Sequence, residues 1–108
     1  MKNTQKAPKH LSTEAKKIWK EIQAEYQIDD SAGLRILRVA LEAFDRAQAA
    51  REAIDRDGMT FLDKAGQVKS HSLLPTERDS RAAFLSGLKG LNLDVSPLQS
   101  RPGRPNGK

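Results

Sequence analysis

The stretch DDSAGLRILRVALEAFDRAQAAREAIDRDG, residues 29–58, decides how the rest of the chain must fold. Asp30 or Ser31 can cap a helix, Gly58 can end it in a left-handed turn, and no proline interrupts the run between them. The pattern predicts one helix over residues 32–57. At 1.5 Å per residue such a helix is about 39 Å long. A compact domain of about 100 residues has a radius of gyration near 13 Å, a sphere roughly 33 Å across, so the helix is long for its body. Two apolar stripes run along it. Leu34, Leu37, Leu41 and Phe44 form a stripe of large residues in its first half, and Ile36, Ala40, Ala43, Ala47, Ala50 and Ile54 form a second. At about 100° per residue the stripes lie roughly 120° apart on the wheel. Arg35, Arg38, Glu42, Asp45, Arg46, Glu52 and Arg56 fill the remaining arc. The large stripe can receive a neighbouring helix. The alanine stripe permits close approach of another helix; it is either one flank of a single wide core face or a seam to a second subunit. The helix length favours the seam, so Ile36, Ala40, Ala43, Ala47, Ala50 and Ile54 are the expected oligomer interface.

On the N-terminal side, Ser12 or Thr13 can cap a helix carrying Ala15, Ile18, Trp19, Ile22 and Tyr26 on one apolar face, with Glu14 in its first turn. On the C-terminal side the period changes. Residues 60–62 and 67–69 read as two short strands joined through Asp63, Lys64, Ala65 and Gly66. A lone two-stranded hairpin is marginal in water, so it must pack on helices or pair with another chain. Residues 76–91, after Pro75, read as a helix with Arg81, Phe84, Leu85, Leu88 and Leu91 on its inner side. The expected fold is mainly α: a helical hairpin with one long central helix, a small β-hairpin and a C-terminal helix, flanked by flexible basic tails. Residues 1–10 are expected to be a disordered tail, 11–94 a helical domain for oligomerisation and DNA recognition, and 95–108 a second disordered tail rich in proline and glycine.

The charge supports that division. The chain of 108 residues carries 19 Lys and Arg against 14 Asp and Glu, a formal net charge of +5. Lys2, Lys6 and Lys9 stand at one end and Arg101, Arg104 and Lys108 at the other, with no acid among residues 1–10 or 95–108. The body between them is nearly neutral. Basic arms on a neutral body suit a polyanion, although short basic tails also aid solubility. The chain has no cysteine, which excludes a disulfide scaffold and a thiolate zinc site. No apolar run approaches the length of a membrane span or a signal-peptide core.

Residues 65–85, AGQVKSHSLLPTERDSRAAFL, gather a histidine, acids and arginines and invite a catalytic reading. His71 falls at the end of the second strand, and Glu77 and Asp79 fall in the first turn of the last helix, where acids complement the helix dipole. A metal site needs three or more converging ligands, and the other histidine, His10, lies in the N-terminal tail. Neither a nucleophile elbow nor a glycine-rich phosphate loop is present. These polar residues are expected to hold the backbone, and no catalytic residue, metal ligand or cofactor site is assigned.

In their order and spacing, APKHLSTEAKKIWKEI, then DDSAGLRILRVALEAFDRAQAAREAIDRDGMTF, then DKAGQVKSHSLLPTERDSRAAFLSGLKGLNLD resemble the small subunit family of bacteriophage terminases. The resemblance runs from Ala7 to the end of the chain, and the RPGRP tail (101–105) is of a kind seen there. It departs at Ser72, where the family usually has proline, which bears on how rigidly the hairpin exits. The resemblance implies a ring-forming, non-catalytic helical factor in the host cytoplasm. Such a factor binds viral double-stranded DNA and regulates the large terminase subunit, which carries the ATPase and nuclease. The expected DNA-contacting residues are Lys2, Lys6, Lys9, Lys16, Lys17, Lys20, Arg101, Arg104 and Lys108. RPGRP partly matches arginine hooks that enter an AT-rich minor groove, and otherwise serves as a phosphate-binding arm. Two other classes remain: a small helical DNA-binding transcriptional regulator, and an adaptor that binds only protein. The length of the second helix counts against the regulator, because it offers no clear set of base-reading side chains.

Overall fold

A computed structural model describes residues 5–93 of the chain. Its elements follow in the order α1 (Thr13–Tyr26), α2 (Ser31–Asp57), β1 (Thr60–Leu62), β2 (Val68–Ser70) and α3 (Leu74–Gly90). The fold is mainly helical, with an antiparallel hairpin between the second and third helices. The expected C-terminal tail, 95–108, lies outside the described residues.

Helices α1 and α2 begin where a side chain can serve their orphan amides. Ser12 Oγ accepts the N–H of Ala15 at 3.0 Å, and an Asp30 carboxylate oxygen accepts that of Gly33 at 2.8 Å. Helix α3 starts at Leu74, two residues before the expected position, because Pro75 is tolerated in a first turn that needs no N–H there. Helix α2 ends at Gly58, whose φ of 91° suits glycine; its ψ of 153° is extended, so the chain leaves the helix without the expected left-handed turn.

The large stripe of α2 meets α1 as expected. Leu37 and Leu41 are fully buried with Leu11, Ala15 and Trp19, and Ile18, Ile22, Leu34 and Phe44 pack around them. The alanine stripe does not remain free for a second subunit. Helix α3 returns antiparallel along α2: Glu77 pairs with Arg51 at 3.7 Å, and the rings of Phe84 and Phe44 stand 5.3 Å apart between centroids. Nearer the end of α3, a Cβ built on Gly87 would fall 2.6 Å from that of Ala40. Ala40, Ala43, Ala47, Ala50 and Ile54 are accordingly buried within one chain, and Ile36 alone stays 37% exposed. Five of the six residues expected at an oligomer interface are thus covered within the same chain, and Ile36 stays at the surface. Small side chains let two helices of the same chain approach closely, and both apolar stripes of α2 are used internally.

Three details of the expected packing change with this arrangement. The inner side of α3 comprises Ser80, Phe84, Gly87, Leu88 and Leu91, whereas Arg81 and Leu85 point outward, Leu85 being 54% exposed. Gln23 of α1 is buried, with neither amide atom hydrogen-bonded. The second strand is one residue later than expected because the turn is larger: Asp63 Oδ1 accepts the N–H groups of Ala65 and Gln67, both at 2.9 Å. Gly66, at φ 80°, closes that loop in the left-handed region that favours glycine.

Candidate nucleic-acid interface

Residues 5–10, expected within a disordered tail, lie against the helices. The indole N–H of Trp19 donates to the carbonyl of Gln5 at 2.8 Å, Ala7 packs on the core and Leu11 is buried. His10 Nε2 donates to Glu42 at 2.7 Å, and Arg38 reaches the same carboxylate oxygen at 3.1 Å. The bond from His10 is the main cause holding the Glu42 carboxyl below its ordinary range, with Arg38 adding to it. Asp45 of α2 then accepts both the N–H (2.8 Å) and the hydroxyl of Ser12, which ties the start of α1 to the middle of α2.

This strap carries Lys6 onto the helices. A shallow cleft of about 330 Å³ is lined by Gln5, Lys6, Ala7, Lys16, Trp19 and Lys20. A second, of about 300 Å³, is lined by Gln5, Lys6, Trp19, Ser31, Leu34, Arg35 and Arg38. They share Gln5, Lys6 and Trp19, so Lys6 stands between the lysines of α1 and the arginines of α2. No acid lines either cleft. Lys6, Lys16, Lys20 and Arg35 have no ion-pair partner among the described residues, and Arg38 is the one cation here that is paired. Lys16 and Lys20 are one helical turn apart and rise together along one edge of α1. The result is an uncompensated positive surface whose natural complement is a row of phosphates.

Of the expected DNA-contacting residues, Lys6, Lys16 and Lys20 are brought together here. Lys9 and Lys17 are exposed outside the two clefts. Lys2, Arg101, Arg104 and Lys108 lie outside the described residues. Arg35 was not among the expected residues. In sequence it belongs to the polar arc of α2, and only the docked strap joins it to Lys6.

The histidine that invited a catalytic reading is used structurally. His71 Nε2 donates to Asp57 at 3.0 Å, and its Nδ1 accepts the N–H of Leu73 at 3.0 Å. Both ring nitrogens are occupied in joining the end of the hairpin to α2 and to the start of α3. Asp57 is held below its ordinary carboxyl range, first by His71 and then by Arg56. Glu77 is lowered first by the two hydrogen bonds from Arg81 and then by Arg51. Among the described residues, no group of three or more His, Asp and Glu could hold a metal ion. No helix among them is long and apolar enough to cross a membrane. No protein-family model matches the chain, and neither does any curated protein or solved structure.

Proposed function

We propose that this chain is a small terminase subunit: a non-catalytic, self-assembling factor of the host cytoplasm that binds viral double-stranded DNA and regulates the large subunit during genome packaging. The observation that carries the reading is the uncompensated basic surface made by Lys6, Lys16, Lys20 and Arg35. The sequence resemblance supplies the packaging role, and Arg101, Arg104 and Lys108 add positive charge at the C-terminal end. A duplex suits this surface better than a single strand. Trp19 is buried, so the clefts offer no aromatic platform for base stacking. The transcriptional-regulator alternative needs a helix free to enter the major groove. Helix α2 does not suit that role, because α1 covers one of its sides and α3 another.

The test has two arms. Duplex binding is measured against salt concentration for the intact chain and for the Lys16→Ala, Lys20→Ala double variant. Each lost phosphate contact flattens the slope of log affinity against log salt by about 0.9, so the variant should flatten it by about 1.8 for each subunit engaged. In the second arm, the purified chain is added to its cognate large subunit, and ATP hydrolysis or DNA cleavage by that subunit should change. A chain that binds no duplex at low salt and leaves the large subunit unaffected refutes the proposal.

A further inference from the structure

The three most exposed large apolar side chains among the described residues lie on and beside the β-hairpin, Met59 at 64%, Leu62 at 67% and Val68 at 69%, and Phe61 beside them is 50% exposed. Two of them form a cross-strand pair in the register Thr60↔Ser70, Phe61↔Lys69, Leu62↔Val68. Side chains alternate between faces along a strand. Leu62 and Val68 therefore share one face with Thr60 and Ser70, and Phe61 shares the other with Lys69. Phe61 borders the hollow beside Asp57, Gly58, His71 and Ser72, and the opposite, Leu62–Val68 face looks away from the helix ends.

The edges are as open as the face. The N–H of Asp63 donates to the carbonyl of Gln67 at 2.9 Å, and that of His71 to the carbonyl of Met59 at 2.8 Å. Hydrogen-bonded pairs alternate along an antiparallel ladder. Phe61 and Lys69 consequently bond across the hairpin, while the backbone groups of Thr60, Leu62, Val68 and Ser70 point outward. Among the described residues these outward groups have no partner. A bare two-stranded sheet with an apolar face is marginal in water, and its free edges are templates for another strand.

We propose that the hairpin is where the chain associates with itself, the outer edge of β1 in one copy pairing with the outer edge of β2 in the next. The inference rests on the proposed self-assembling function and moves its interface from the alanine stripe of α2 to the hairpin. Charge selects the arrangement. Two-fold pairing through β2 brings Lys69 against Lys69 of the other copy, and like charges directly opposite are unfavourable. Two-fold pairing through β1 avoids this but leaves both β2 edges bare. Head-to-tail pairing in the hairpin's own register sets Phe61 beside Lys69 of the next copy and Leu62 beside its Val68. The Leu62–Val68 pair then extends into a continuous apolar stripe, no like charges meet, and both edges are used. A second copy supplies the matching edge by construction, and a head-to-tail contact of this kind closes into a ring when its rotation allows.

The experiment uses the full chain in sedimentation velocity, with circular dichroism as a folding control. Leu62→Lys combined with Val68→Lys changes two exposed positions, so helicity should be retained while the mass falls to that of one chain at concentrations where the wild type is assembled. The chain contains no cysteine, which permits a directional test. Oxidising a mixture of Leu62→Cys and Val68→Cys chains should give mixed disulfide dimers, and Leu62→Cys alone should give few. A wild type with the mass of one chain overturns this inference and the self-assembly in the proposed function together. An assembled wild type whose double-lysine variant stays assembled overturns the inference alone, as does equal cross-linking of Leu62→Cys by itself. Assembly that depends on the hairpin in a protein that binds no duplex leaves the inference standing and removes the DNA reading.

Discussion

Gly87→Ala tests the central packing of the fold, because helix propensity and tertiary contact pull in opposite directions there. Replacing a mid-helix glycine by alanine stabilises a helix by about 1 kcal/mol where nothing interferes. At Gly87 the new Cβ would lie 2.6 Å from Ala40 Cβ, against about 3.5–4.0 Å for an unstrained carbon contact. Neither atom can swing aside, so α2 and α3 must separate by about 1 Å, and overpacking of that kind costs about 1–3 kcal/mol. Gly90, in the same helix, provides the control: a Cβ there meets nothing within 4 Å. Gly90→Ala, at the last residue of α3, should stabilise by about 0.5 kcal/mol at most. The difference between the variants is then the clash less about 0.5 kcal/mol of propensity, about 0.5–2.5 kcal/mol, and at roughly 4 °C per kcal/mol Gly90→Ala should melt about 2–10 °C above Gly87→Ala. Adding Ala40→Gly to Gly87→Ala removes the opposing Cβ and leaves Ala40 Cα at 3.5 Å, an ordinary contact. The double variant should therefore be more stable than the sum of the two single changes implies. Thermal unfolding followed by circular dichroism reads the wild type, the three single variants and the double variant. If Gly87→Ala gains as much as Gly90→Ala, α3 does not lie on the alanine stripe and the packing described above is wrong.

Three further outcomes follow from particular groups. Gln23 has both side-chain polar atoms buried without a partner, so Gln23→Met should raise stability by about 1–3 kcal/mol in urea unfolding; a clear loss would mean that the amide is satisfied in solution. Glu42, Asp57 and Glu77 are all lowered from ordinary values of 4.5, 3.8 and 4.5. Their contribution is present above those values and is lost as pH falls through the lower folded ones, so melting temperature should drop on acidification below about pH 4.5. Glu77→Gln should lessen that drop, and a melting temperature that rises on acidification would contradict the ion-pair assignments. Removing residues 96–108 deletes Arg101, Arg104 and Lys108 and should flatten the salt slope of duplex binding by up to about 2.7 per engaged subunit. If Arg101→Ala with Arg104→Ala abolishes a preference for AT-rich duplex, the tail reads the minor groove; equal weakening on all sequences assigns it to phosphates.

Local chemistry and periodicity made much of the fold legible. Caps at Ser12 and Asp30, the stop at Gly58, the turn beginning at Asp63 and the large apolar stripe of α2 are short-range signals, and the helices and hairpin follow from them. What a helix face touches is not a short-range property. The alanine stripe reads identically whether its neighbour is α3 or another subunit, and only the antiparallel return of α3, with Gly87 over Ala40, assigns it to one chain. Ser80 and Gly87 on the inner side of α3 are illegible in the sequence for a related reason: helix contact there selects for small size, which hydropathy does not record. The candidate interface divides similarly. The lysines of α1 were visible as an exposed basic edge, but Lys6 and Arg35 are 29 positions apart in sequence. They meet because Trp19 bonds Gln5 and His10 bonds Glu42, drawing the N-terminal strap across α1 and α2. Charge and periodicity specify which residues face water; the docking of segments distant in sequence decides which of them act together.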